Sequence, residues 1–333
     1  MNKFLVVFLL ALVACENFDT MVFKEFQRFI TLYDKKYNSV QEYLARFNVF
    51  RQNFIEVVNE PPKTYTTGIT KFSDLTKQEF AKTYLNLDIT AQAFINLYPI
   101  RPTSTNAAPD AFDWRDKGAV ATVKDQASCG SCWAFATCAN LEGLYYLNKK
   151  VMKDFAPQHL VDCDTIDAGC NGGLMENSFT WIKESGGIML EEDYPYVGYK
   201  QTCKEDKTKY VDMAVTGYVK LGDAWESWTP ADENEVKELL YETGPLAIAL
   251  NANLLQTYTG GIIDADKSKC SPYGLNHAVT LVGYGHDEET DLDYWLVKNS
   301  WGETWGEEGY FRIARGKGTC GIDMYITTAQ VSF

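Results

Sequence analysis

The stretch Gln126-Ala127-Ser128-Cys129-Gly130-Ser131-Cys132-Trp133-Ala134-Phe135 sets two cysteines three apart, just ahead of an apolar run. Small residues suit a tight turn, and Ser131 is placed to cap a helix entered at Cys132. That helix is expected to reach about Asn148, through Trp133, Phe135, Ala136, Ala139, Leu141, Leu144 and Leu147. A thiol in its first turn faces unpaired N–H groups and the positive end of the macrodipole, which favour thiolate. Cys132 therefore reads as an activated nucleophile. Taken alone, the C-x-x-C pair also fits a redox couple, half of a zinc site, or two unrelated cysteines. No second C-x-x-C completes a four-ligand zinc set, and the flanks lack the β-α-β pattern expected of a redox motif.

A nucleophilic thiol needs a base, and the chain has three histidines. His159 lies in the polar segment Pro157-Gln158-His159-Leu160 and reads as a surface or structural residue. His286 adjoins the acidic loop Asp287–Asp293 and is expected to be solvated. His277 opens a strand-like run, Leu275-Asn276-His277-Ala278-Val279. An isolated histidine there is more often structural, but an imidazole is what a helix-start thiol requires.

The elements that must position these groups fall into two parts. At 333 residues, 46% of them apolar, the chain can build a sizeable globular core. Its net charge of −14 argues against nucleic acid and anionic membrane as partners. The acid is uneven: residues 16–107 carry 11 basic and 10 acidic side chains, residues 108–333 carry 19 and 35. A mildly acidic compartment relieves such self-repulsion.

Lys3, the apolar run Phe4–Val13 and the small residues near Ala14-Cys15 read as a secretory signal, too short to span a bilayer. Leu12-Val13-Ala14-Cys15 also has the form of a bacterial lipid-attachment box. Removal of residues 1–15 leaves eight of the nine cysteines, a number suited to disulfides in an oxidising route. The chain has no N-x-S/T sequon.

Helical spacing of Met21, Val22, Phe26, Phe29, Ile30 and Tyr33 predicts a first amphipathic helix over 19–33. Ser39 and Glu42 form a capping box for a second, to about Val58, stopped by Pro61-Pro62. An extended stretch over Tyr65–Thr70 and a short helix from Thr76 follow. Residues 97–109 read as an exposed, cleavable linker. The larger part begins helical, with further helices over Met175–Glu184 and Asp232–Tyr241. It ends in strand-like runs at Leu246–Asn251, Ala278–Tyr284, Tyr294–Lys298 and Tyr310–Ala314. This order predicts an α+β fold of two lobes with a cleft between them.

Gln126–Phe135, Leu275–Val279 and Val297-Lys298-Asn299-Ser300-Trp301-Gly302 together resemble the three signature blocks of papain-family cysteine proteases, in the same order. The resemblance covers nearly the whole chain after the signal. It implies a helical lobe and a β-barrel-like lobe behind a helical propeptide, with signal 1–15, propeptide 16–107 and protease 108–333. By the same resemblance Cys132 is the nucleophile and His277 its ion-pair partner and general acid. Asn299 orients the imidazole, Trp301 shields that bond, and Gln126 donates to the oxyanion. Cysteine pairings Cys129–Cys170, Cys163–Cys203 and Cys270–Cys320 are implied, leaving Cys132 free and Cys138 as a small core residue. Gly172 and Gly173 are expected to bond the substrate backbone. Leu174, Met175, Ala249, Leu275 and Tyr325 are expected to line an apolar pocket that prefers Leu or Val to Arg at the second position before the cut.

The N-terminal part resembles the inhibitory propeptide of the cathepsin L and F type. Glu42, Arg46, Phe50, Asn53 and Val57 follow its long-helix motif, with Pro61 in place of the final Asn. Gly68, Phe72 and Asp74 follow the second motif, with Thr70 where Asn is usual. Ala127 and Ala136 are further small-for-small departures. No histidine occurs in 16–107, so a pH trigger there must use carboxylates, with Asp74 and Glu42 as candidates and a self-activation midpoint at about pH 4–5. The expected function is a secreted or lysosomal/vacuolar cysteine endopeptidase made as a zymogen, monomeric and without cofactor. Its partners are protein and peptide substrates, its own propeptide and protein inhibitors of cysteine proteases. A catalytically inactive binding protein of the same fold and a thiol oxidoreductase are the competing classes. Gly222–Glu235, with Trp225 and Trp228, reads as a surface loop with its own small cluster, or as a partner site.

Overall fold

The computed structural model describes residues 3–87, 107–224 and 227–333, with side chains from Phe18 onward. Helices α1 (Lys3–Leu32) and α2 (Val40–Val58) form an antiparallel pair closed on Val22, Phe26, Phe29, Phe50 and Phe54. The helix predicted from residue 19 thus continues a longer one. Ser39 caps α2 by accepting from the Glu42 N–H, while the Glu42 carboxylate reaches the N–H of Asn38. Strand β1 (Tyr65–Thr67) and helix α3 (Lys77–Tyr84) follow, α3 opening on a complete Thr76/Glu79 capping box. The linker reading at 97–106 and Trp225 lie outside the described residues.

Beyond a short strand β2 (Phe112–Asp113), the helical lobe comprises α4 (Cys132–Lys149), α5 (Pro157–Cys163) and α6 (Met175–Ser185). All but one residue from Cys132 to Tyr145 is buried, so α4 is a core helix rather than an amphipathic one. Strand β3 (Ala214–Leu221), helix α7 (Glu233–Thr243) and strands β4 (Leu246–Leu250), β5 (Tyr258–Ile263), β6 (His277–Asp287), β7 (Leu292–Lys298), β8 (Tyr310–Ala314) and β9 (Ile326–Ser332) complete the chain. The sheet order is β1-β5-β8-β7-β6-β4-β9-β3, with β2 added to β6. Among the described strand pairs, β5 with β8 is the parallel one. The sheet expected to be barrel-like is open, because its two ends, β1 and β3, do not pair with each other. One edge is capped by β1, which pairs Tyr65 with Gly261 and Thr66 with Gly260. An N-terminal segment therefore extends the sheet of the larger domain.

Three disulfides, Cys129–Cys170, Cys163–Cys203 and Cys270–Cys320, tie the loops. Each closes a loop of 40 to 50 residues, worth about 4 kcal/mol in the chain-entropy account. Cys132 and Cys138 are free and buried.

Candidate active site

Cys132 is the first residue of α4 and His277 the first of β6, so the site lies where the two lobes meet. Ser131 does not cap with its side chain; its hydroxyl pairs instead with Tyr196 at 2.7 Å. The orphan amides of the helix start face the thiol itself: the backbone N–H groups of Cys132 and Trp133, with that of Ala278, the neighbour of His277, pull its pKa down. On the imidazole, Nε2 lies 2.8 Å from Asn299 Oδ1, and the Trp301 ring stacks over it at 4.7 Å between centroids. The Asn299 bond fixes one ring nitrogen and leaves Nδ1 for other chemistry. Gln126 is held by Ser300, whose hydroxyl donates to Oε1 at 2.7 Å, and its Nε2 donates to Cys129 O at 3.0 Å. Ser300 was in view in the sequence block around Asn299, but nothing in its spacing flagged this orienting bond.

A limb of the N-terminal part covers this constellation. The Tyr84 carbonyl accepts from Gln126 Nε2 at 3.4 Å and also faces the His277 imidazole. The Asn86 N–H reaches the Cys132 sulfur. Leu87 donates its N–H to Asn276 O at 3.1 Å and forms a parallel bridge with Gly173. A side chain on Gly130 would stand 2.3 Å from the Asn86 amide and 2.5 Å from the Cys170 carbonyl, so only glycine admits this approach. Phe72, Phe80 and Tyr84 pack edge-on against Trp301, with centroids 5.0, 5.4 and 6.5 Å away.

The cover changes the electrostatics. Cys132 and His277 are completely buried. Burial pushes the thiol up to about 11, against the pull of the four amides, and pushes the imidazole down to about 4, against Asn299 and Tyr84. The pair is therefore neutral in the covered state. The thiolate expected from the helix start alone is not its ionisation here, because desolvation outweighs the amides.

Leu174, Met175, Ala249, Leu275 and Tyr325 belong with Cys132 and Leu87 to one large buried apolar cluster, while Gly172 and Gly173 are buried and Gly173 bridges Leu87. Behind Tyr325 sits a group that the sequence did not single out. Glu176 is buried, lies 3.2 Å from Lys220 Nζ, and its charge, after burial, holds the Tyr325 hydroxyl well above its usual range. A buried acid at the start of α6 had no periodic signal to distinguish it.

The propeptide-motif residues also converge. Asn53 Nδ2 donates to the carbonyls of Ser73 and Leu75, and Arg46 Nη1 to Asp74 O and both Glu79 oxygens. Asp74 accepts from Lys35 at 2.9 Å and from Tyr37 at 3.0 Å. Phe50 and Phe72 are buried, Glu42 and Val57 are half-buried, and Gly68 donates its N–H to Thr257 O. Of the other histidines, His159 is wholly buried, accepting from the Met189 N–H, which makes it structural. His286 is exposed and pairs with Asp293. Cys138 is buried, and burial pushes its thiol well up. Trp228 meets Tyr273 edge-on at 5.6 Å.

A two-lobed cysteine peptidase held under its own N-terminal segment is the class that this arrangement defines. Residues 108–330 match the papain family cysteine protease domain, and residues 26–80 the cathepsin propeptide inhibitor domain. The chain is 41% identical to cysteine proteinase 15A of Pisum sativum over 92% of this chain and 86% of that protein. It is 38% identical to cathepsin F of Mus musculus over 95% of this chain and 67% of that one. Digestive procathepsin L 3 of Tenebrio molitor superposes with a TM-score of 0.82 at 32% identity, covering 92% and 98% of the two chains. The proform of the ragweed pollen allergen Amb a 11 gives 0.80 at 36%, covering 92% and 94%. The chain belongs to the papain family of cysteine proteases, and it is a cysteine endopeptidase made as a proenzyme.

Proposed function

We propose that this proenzyme enters the secretory pathway by a signal at 1–15 and is released, by loss of 16–107, as a monomeric endopeptidase of residues 108–333. It works in an acidic lysosome- or vacuole-like compartment or outside the cell, where protein inhibitors of its class are its further partners. The reading rests above all on the path of residues 84–87. The chain's own backbone already occupies the thiol, the imidazole, the Gln126 amide and the Gly173 edge, as a peptide substrate would.

Removal of that cover returns water to Cys132 and His277, and the helix-start amides then favour thiolate beside imidazolium. The thiolate attacks the scissile carbonyl. Gln126 Nε2 and the Cys132 N–H bond the oxyanion, each such donor being worth about 100- to 1000-fold in rate. His277 protonates the departing amine, leaving a thioester that water, deprotonated by the same imidazole, hydrolyses. Asn299 and Trp301 hold the ring for both transfers. Leu87, set in the cluster of Leu174, Met175, Ala249, Leu275 and Tyr325, supports a preference for Leu or Val at the second position before the cut. The Glu176 carboxylate sits behind Tyr325 and against Lys220, so it does not present a free charge to a basic side chain.

Acid-activated enzyme is expected to cleave Leu- and Val-containing peptides faster than Arg-containing ones. A thiol-directed epoxide is expected to label Cys132 alone, with labelling lost in His277→Ala. A panel in which Arg wins overturns the pocket assignment. Absence of both cleavage and labelling favours the inactive binding protein or the oxidoreductase.

A further inference from the structure

The loop between α5 and α6 carries the Gly172-Gly173 strip, and two buried acids hold it. Asp164 Oδ1 accepts from the N–H groups of Ile166 at 2.7 Å and Asp167 at 3.2 Å. Asp167 Oδ1 accepts from the Leu174 N–H at 3.1 Å and Asn177 Nδ2 at 2.9 Å, drawing the far end of the loop onto its beginning. The back of Gly173 rests on this carboxyl: a Cβ there would stand 2.6 Å from Asp167 Cγ and 2.7 Å from the Trp133 ring. Both acids are more than nine-tenths buried, at 2% and 7% exposure. Each has a second oxygen, Oδ2, that no N–H or O–H group reaches. The Asp167 N–H on Asp164 Oδ1 sets the two carboxyl groups side by side, each within the other's electrostatic reach and placed to hydrogen-bond once one carries a proton.

Two ionised carboxylates cannot share such a place without strong repulsion, whereas one proton between the two orphaned oxygens satisfies both. We infer that Asp164 and Asp167 are positioning residues that share a proton, and that this acid pair holds the Gly172-Gly173-Leu174 strip in the form that binds the substrate backbone. The inference rests on the reading above that this strip pairs with substrate. Burial and the neighbouring negative charge keep the pair's last proton well above the ordinary carboxylate range, to about 8. Lys200, from the loop after α6, draws Asp164 down, and its stem packs on Gly169. While the pair holds at least one proton the strip is set. Loss of the proton in alkali puts two anions side by side and loosens the edge on which a peptide lies.

The test separates KM from kcat between pH 5 and 9 in the activated enzyme. Wild type is expected to show KM for an extended peptide rising about tenfold from pH 7 to 9, as when only the protonated pair binds with a pKa near 8. Asp167→Asn supplies an amide that donates to Asp164 in place of the proton, and Asp164→Asn does the converse. Both are expected to keep the low KM and lose the alkaline rise, while Asp167→Ala raises KM at every pH. Cys132 and His277 are unchanged throughout, so their titration is common to all variants. An alkaline rise in Asp167→Asn equal to that of wild type, or a KM at pH 5 raised as far as in Asp167→Ala, overturns the inference. Infrared spectra of the intact proenzyme test the pair without turnover. A buried carboxylic acid C=O band at pH 7, absent from both Asn variants, is expected, and its absence from wild type overturns the shared proton even if the strip proves not to bind substrate.

Discussion

The two halves of the propeptide are bound by different physics. Its outer half, α1 and α2, carries a private core in which Phe26 packs against Phe29, Tyr43, Phe47 and Phe50 with centroids 5.1 to 6.0 Å apart. Its inner half, from Tyr65 to Leu87, has no such core. Tyr65, Phe72, Phe80 and Leu85 belong instead to the cluster that contains Trp301, Trp305 and Ile248 of the protease. The inner half is thus bound as part of the enzyme's own interior, and it covers the reacting groups. The outer half acts on it through a polar joint made by Asn53, Arg46, Lys35 and Tyr37. Inhibition should follow the inner half, and its control the joint.

Phe72→Ala should break this contrast most severely. Deleting a buried phenylalanine costs about 3–5 kcal/mol, so epoxide labelling of Cys132 in the intact proenzyme should quicken by about 100-fold or more at neutral pH. Phe26→Ala removes as large a ring from the outer core and should leave labelling within about tenfold of wild type, since its loss reaches the thiol only through the joint. Equal acceleration in both would show that the propeptide melts as one unit. At the joint itself, Asn53→Ala strands the buried Ser73 carbonyl and leaves that of Leu75 to Gln256 Nε2 alone. A loss of about 2 kcal/mol is expected, read as a lower first transition in thermal unfolding and faster proteolysis of 16–87.

A pH effect of the joint follows from Glu79. The Arg46 guanidinium holds its carboxyl below the usual range. A depressed folded-state pKa gives stabilisation that is full above the unfolded value of 4.5 and is lost as pH falls through the folded one. Glu79→Gln should therefore loosen the propeptide at neutral pH and flatten the acid limb of self-activation below about pH 4.5. An unchanged limb would place the trigger on another carboxylate of the propeptide, such as Asp74, Glu42 or Glu60. The smallest effect is expected at the surface of the inner half. Lys71 donates to Asp125 at 2.6 Å and to the Trp301 carbonyl at 3.0 Å, but Asp125 is half exposed. Lys71→Ala should cost about 0.2–1 kcal/mol, seen as at most a fewfold change in labelling that fades in high salt.

The chemistry was legible where residue type and spacing are themselves the signal. Cys132 at a helix start, His277 at a strand start and the block around Asn299 could each be named before any contact was known. The capping residues Ser39 and Thr76, the stop at Pro61-Pro62 and the strand runs from Leu246 onward were equally local. What escaped was non-local or non-periodic. Helix α5 is seven residues long and buried along its whole length, so it shows no polar face. Strand β1 is three residues whose partner lies almost 200 positions away. Glu176, Ser300 and the Asp164–Asp167 pair matter for what they face, which spacing does not encode.

The order of elements, the sorting of polar and apolar residues and the identity of the groups able to do thiol chemistry were properties of the sequence by itself. Their ionisation was not. A thiol at a helix start is drawn toward thiolate by the amides beside it, an effect of neighbours a few residues away. Only the tertiary structure brings residues 84–87 over that thiol, removes water from it and from His277, and makes both neutral. The reason is physical: hydrogen bonds at a helix terminus are short-range and local, whereas desolvation depends on every chain segment that excludes water, wherever it lies in the sequence.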